Sequence, residues 1–110
     1  MTPATVPAPI HVHFALLPSS LLLDWAGPAE ALRIANQHLR ALGEPERFVL
    51  HFISPTPESR SSVGVTLAGL APLPDTLPQP TWVVLVGQIG KTIDMRHPET
   101  QTLLHWLRGL

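Results

Sequence analysis

Leu21 to Asn36 reads LLLDWAGPAEALRIAN, and the fold turns on how that stretch is read. Three leucines lead into an acid, Asp24, and Gly27 and Pro28 then open an amphipathic helix. Ahead of it, His11 to Leu17 is apolar apart from two histidines and ends at Pro18, the pattern of a buried strand. A strand, a tight turn bearing a carboxylate and a helix start together present an acid at the carboxyl end of a parallel sheet.

Working outward, Ser19 to Leu23 is expected to form the turn and Ala26 to Leu42 the helix. Pro28 falls in its first turn, where a missing N–H costs little. Leu32, Ala35, Leu39 and Leu42 recur at helical spacing and define the expected buried face, with Gly43 as C-cap. Arg47 to Ile53 is a second strand, and Ser54 to Ser62 a polar, proline-bearing connection. Val63 to Leu67 is short and β-prone, an expected hairpin arm. Ala71 to Pro80 holds four prolines and is read as a loop. Trp82 to Val86 is a continuous apolar, β-branched run of the kind found in central parallel strands. Gly87 to Arg96 is a loop, and Pro98 to Leu107 a helix with Leu103, Leu104 and Leu107 on one face. Met1 to Pro9 carries three prolines and no periodicity, and is expected to be a disordered tail. Strands alternating with helices indicate a three-layer α/β fold.

The 110 residues allow one domain at most. Charged residues make up 14%, the net charge is -1 and no basic cluster occurs, which argues against nucleic-acid binding by this segment. There is no cysteine, so disulfides, thiolate metal sites and a cysteine nucleophile are excluded, and a reducing cytoplasm is the expected compartment. No apolar run approaches the roughly 18 residues that span a bilayer, and no signal-peptide pattern is visible at the N-terminus.

Three motifs carry a family resemblance: the strand plus LLLDWAGPAEALRIAN; FVLHFISPTPESRSSVGVTL, Phe48 to Leu67, with Ser54, Ser61, Ser62 and Gly64; and WVVLVGQIG, Trp82 to Gly90, followed by the helix ending LLHWLRGL. Taken together, from Ile10 to Leu110, they resemble the amino-terminal ThiJ/PfpI-like domain of AraC-type transcriptional regulators, which has the class I glutamine-amidotransferase-like fold. The resemblance implies a flavodoxin-like three-layer fold with a mostly parallel sheet. It implies residues 1–9 as a tail and residues 10–110 as the amino-terminal part of such a domain. In the family the third strand commonly ends in Gly-Gly, whereas Gly87 is followed here by Gln88. The chain stops about where the family's next strand and nucleophile elbow begin, and the helix-turn-helix domain of such regulators is absent. The expectation is therefore an incomplete sheet in a fragment of a regulator.

The function so implied is that of a non-catalytic regulatory domain, sensing a small-molecule effector or mediating homodimerisation. DNA would be contacted through a domain absent from this chain, with no membrane partner and no cofactor. The alternative is a fragment of a ThiJ/PfpI-superfamily enzyme, such as an isonitrile hydratase or an amidase-like hydrolase. Asp24 matches the acid that sits beside a nucleophilic cysteine in enzymatic relatives. Without cysteine no residue is assigned a catalytic role, and Asp24 is read as pocket-lining or as an acid capping the helix. Gly87 and Gln88 stand where relatives offer backbone N–H groups to an oxyanion. Trp25, expected in the turn beside Asp24, completes a pocket set of Asp24, Trp25, Gly87 and Gln88. Glu30 reads as a solvent-facing helix acid, and Trp82 and Trp106 as packing residues. His11 and His13 share a strand face and His51 lies on the neighbouring strand, but their spacing is no known ligand pattern and no metal is expected.

Overall fold

The computed structural model describes residues 6–90 and 94–110. Most of the expected tail, residues 1–5, and three residues of the loop after Gly87 lie outside the described residues; residues 6–9 have no regular structure. Three parallel strands form the main sheet: β1 (Ile10–Ala15), β2 (Phe48–Ile53) and β5 (Thr81–Leu85), in the order β2-β1-β5. Ile10 pairs with Phe48 and Ala15 with Ile53 on one side; His11 pairs with Thr81 and Ala15 with Leu85 on the other. A small antiparallel hairpin, β3 (Ser59–Arg60) with β4 (Thr66–Leu67), follows β2. The helices are α1 (Leu22–Ala41) and α2 (Pro98–Arg108). The fold is thus mixed α/β.

Alternation along the strands sorts the core into two layers. Ile10, Val12 and Phe14 of β1, with Phe48, Leu50, Phe52 and Val84, pack against Trp25, Ala29 and Leu32 of α1. On the opposite face Ala15, Leu17 and Ile53 pack against Leu103, Trp106 and Leu107 of α2, with Leu73 of the proline-rich segment. Trp106 is fixed there by donating its indole N–H to the Pro74 carbonyl at 2.6 Å.

Several expectations need correction. α1 begins at Leu22, not Ala26, so Pro28 lies inside the helix and Asp24 and Trp25 sit in its first turn. The helix starts early because the chain before it is already held from outside: Leu21 N–H donates to Gly87 O (2.8 Å) and Leu22 N–H to Ser62 Oγ (3.1 Å). The buried stripe is Trp25, Ala29, Leu32 and Asn36. Leu42 is the C-cap residue and 63% exposed, so it is not on the buried face. The apolar run at Trp82 is not central: β1 occupies the middle, and β5 is an edge whose Trp82 and Leu85 are about half exposed. The hairpin's second arm is Thr66–Leu67, and its first, Ser59–Arg60, lies in the stretch read as a plain connection.

Candidate functional site at the carboxyl end of the sheet

All three strands point the same way, so the segments after them gather at one end. Past β1 the chain runs through buried Leu16 and Leu17 to Pro18, then Ser19 at φ 62°, the left-handed region. A non-glycine residue there is strained. It is held by backbone hydrogen bonds on both sides. Ser19 N–H donates to Arg60 O (2.7 Å) and Ser62 N–H to Ser20 O (2.8 Å); Ile89 N–H donates to Ser19 O (3.0 Å). Ser20 bridges Ser61 on one flank and Gln88 on the other, prolonging the strand order of the sheet.

Asp24 and Gly87 come together. A Cβ at Gly87 would stand 3.4 Å from Asp24 Oδ2 and 3.3 Å from Leu21 Cδ1, so glycine leaves room for both side chains. Asp24 is exposed. Leu21 makes no side-chain cap, and the acid in the first turn of α1 complements the helix dipole instead. Gln88 turns elsewhere: its Nε2 donates to Pro18 O at 2.7 Å, and its Oε1 is buried without a partner. Trp25 faces the sheet, edge-on to Phe52 with ring centroids 5.6 Å apart, and its indole N–H is buried without a partner.

The four expected pocket residues therefore do not share one cleft. Asp24 lines a cleft of about 360 Å³ with Leu21, Leu22, Ala26 and Ser62. Trp25 lines a second of about 360 Å³, with Leu16, Phe52 and residues 66–70. Gln88 lines a third of about 320 Å³, with Pro18, Ser19, Ile89, Asp94 and His97. Ser19, Ser20, Ser61, Asp94 and His97 were not singled out as site residues from the sequence. The signal that could have found Ser19 and Ser20 is a polar pair directly after Pro18 at the end of a buried strand.

The third cleft puts a serine, a histidine and an aspartate on one wall, yet the histidine is turned away from base chemistry. His97 Nδ1 accepts the Glu99 N–H (3.2 Å) as the N-cap of α2. The neutral ring then carries its proton on Nε2 and offers a hydrogen-bond donor, not an acceptor for the Ser19 hydroxyl proton. The Ser20 and Ser61 hydroxyls are also buried without partners, outside that cleft's lining. The third cleft offers a small polar molecule a donor (His97) and a carboxylate (Asp94), while Asp24 offers its carboxylate in the separate first cleft.

Glu30, as expected, is exposed; it pairs with Arg33, whose guanidinium holds the carboxyl below its usual range. Among the described residues no group of histidines and acids has metal-binding geometry, and no helix is long and apolar enough to cross a membrane. No family model and no curated protein matches the chain.

Proposed function

We propose that this chain is the ligand-sensing part of an AraC-type regulator, with a flavodoxin-like ThiJ/PfpI-related fold, and that it has no catalytic activity of its own. The observation that carries the reading is the geometry at the ends of β1 and β5. The chain leaves β1 toward β2 on one side and returns to β5 on the other, and in open α/β sheets ligands settle at the carboxyl ends where the order so reverses. Asp24 against Gly87, and Gln88 with His97 next to it, supply polar groups at that point. The sequence motifs from Ile10 to Leu110 support the family; the parallel order of β2, β1 and β5 supports the finer fold. DNA contact and homodimerisation belong to the same reading.

The test is a thermal-shift screen of small polar metabolites against the 110-residue chain and its Asp24→Ala and Gln88→Ala variants. A ligand at a hundred times its Kd adds about 2.7 kcal/mol of stability. The expected result is a hit whose shift is reduced in at least one variant. Shifts insensitive to both variants would overturn the site. Turnover of an isonitrile, amide or ester that Asp24→Asn abolishes would overturn the non-catalytic assignment.

A further inference from the structure

Three of the six histidines meet on the sheet face opposite α1. His11 and His13 alternate with the core residues Val12 and Phe14, so their side chains leave β1 on the other side. His51 is the register partner of His13 on β2. The His13 and His51 rings stack with centroids 4.3 Å apart and planes 8° from parallel. The His11 ring lies beside that of His51, centroids 5.2 Å apart and planes 21° from parallel, and His11 Nδ1 is 2.9 Å from His51 Nε2, a ring-to-ring hydrogen bond. His13 is 3% exposed and its Nδ1 has no partner.

Among the described residues no carboxylate is bonded to this cluster. On the third strand, β5, Thr81, Val83 and Leu85 share the face and none is titratable. The segments packed on this side carry Asp75, Glu99, His105 and Arg108, and none of them makes a hydrogen bond or ion pair to the three rings. In the neutral cluster the His11–His51 pair is satisfied, one ring donating and one accepting, while His13 stacks on His51 with its Nδ1 unpartnered. Nearly parallel rings direct their lone pairs along the planes and not onto one point, so the cluster is not a cage for a single cation. One proton can be shared across the His11–His51 bond, but a second places like charges within one stack.

We propose that His11, His13 and His51 form a proton-responsive clasp between β1 and β2, closed when the rings are neutral and released on acidification. Burial, followed by the charges of His51 and His11, lowers the pKa of His13; burial, followed by His11, lowers that of His51. With folded values below the unfolded 6.5, the unfolded chain binds more protons as the pH falls past 6.5. Stability is full above that pH and is lost as the pH drops through the folded values. The strand so released is β2, an edge strand whose one strand partner in the sheet is β1, with Ala71 bridging its last residue, Ile53, and Asn36 holding its first, Phe48. The clasp sits on the face opposite α1 and stands independently of any ligand.

The test is ring NMR titration of the unmodified chain, with amide hydrogen exchange of β2 at pH 7.5 and 5.5 corrected for the intrinsic rate. His13 and His51 are expected to titrate below 6.5, and the β2 amides to open at least tenfold more at the lower pH. His51→Phe keeps an aromatic ring in the stack and removes its proton uptake, so it is expected to flatten that opening; His13→Gln serves the same end by a different route. Titration of both rings at or above 6.5 in the unmodified chain, or equal acid opening in the unmodified chain and a folded variant, would overturn the clasp.

Discussion

Asn36 is the clearest case of one side chain joining two elements. Its Oδ1 accepts from Arg47 N–H and Phe48 N–H, both at 3.0 Å, and its Nδ2 donates to Phe48 O at 2.7 Å. The carboxamide therefore stands in for a neighbouring strand at the start of β2, and pins that start to α1. Asn36→Ala leaves two donors and an acceptor without partners in a largely buried place. A cost of about 2–3 kcal/mol is expected, measured by urea unfolding. Asn36→Asp keeps the acceptor but sets a carboxylate oxygen against Phe48 O in a largely buried place, so it too is expected to destabilise at neutral pH. Equal stability of wild type and Asn36→Ala would show that water replaces these bonds. Position 36 closes the Leu21–Asn36 stretch, yet helical periodicity could not assign it: a buried Asn counts against an apolar stripe until the strand it serves is known.

At the scale of elements, α1 ends within one residue of its expected end: Leu42, not Gly43, is the C-cap, and Gly43 follows it. Gly43 is at φ 75°, its N–H donates to Arg40 O (3.0 Å), and Glu44 N–H reaches back to Leu39 O (2.9 Å). This is the paired closure of a Schellman motif. No atom lies within 4 Å of a Cβ built at Gly43, so Gly43→Ala meets no clash and its cost is purely that of the left-handed backbone. About 1 kcal/mol of destabilisation is expected in chemical denaturation. An unchanged midpoint would mean that the helix end shifts conformation at no cost. The C-terminus was legible because the signal is local. The N-terminus was not, because Leu21 and Leu22 are held by Gly87 and Ser62, residues far away in sequence. The same non-local dependence explains the site. Asp24 beside Gly87 follows from parallel strands and could be read from the chain. The division of Asp24, Trp25 and Gln88 among three clefts depends on one helical turn that local rules placed four residues too late.

For the molecule as a whole, the decisive feature is the outer edge of β5. The Cα radius of gyration is 16.0 Å, against about 13 Å for a compact domain of this length. β5 pairs with β1 alone, so one row of its backbone groups has no sheet partner. Its sequence, TWVVL, contains no charge, proline or glycine, the usual devices that discourage pairing at an edge. Trp82 and Leu85 add half-exposed apolar surface, and a small cleft lined by Leu85, Val86, Met95, Leu103 and Leu107 opens beside Leu85. Such an edge recruits another strand, and in the purified chain the strand at hand is that of a second copy. The 110-residue chain is accordingly expected to associate with rising concentration in sedimentation velocity, and Leu85→Lys to shift it toward monomer. Leu85 is 54% exposed, so the lysine can keep its charge in water and should leave thermal stability within about 0.5 kcal/mol of the parent. The β5 amides separate this edge from any other contact: their hydrogen exchange should slow as concentration rises in the parent chain and stay unchanged in Leu85→Lys. A monodisperse parent at high concentration, or association that Leu85→Lys leaves intact, would mean that this edge is not the surface through which copies meet.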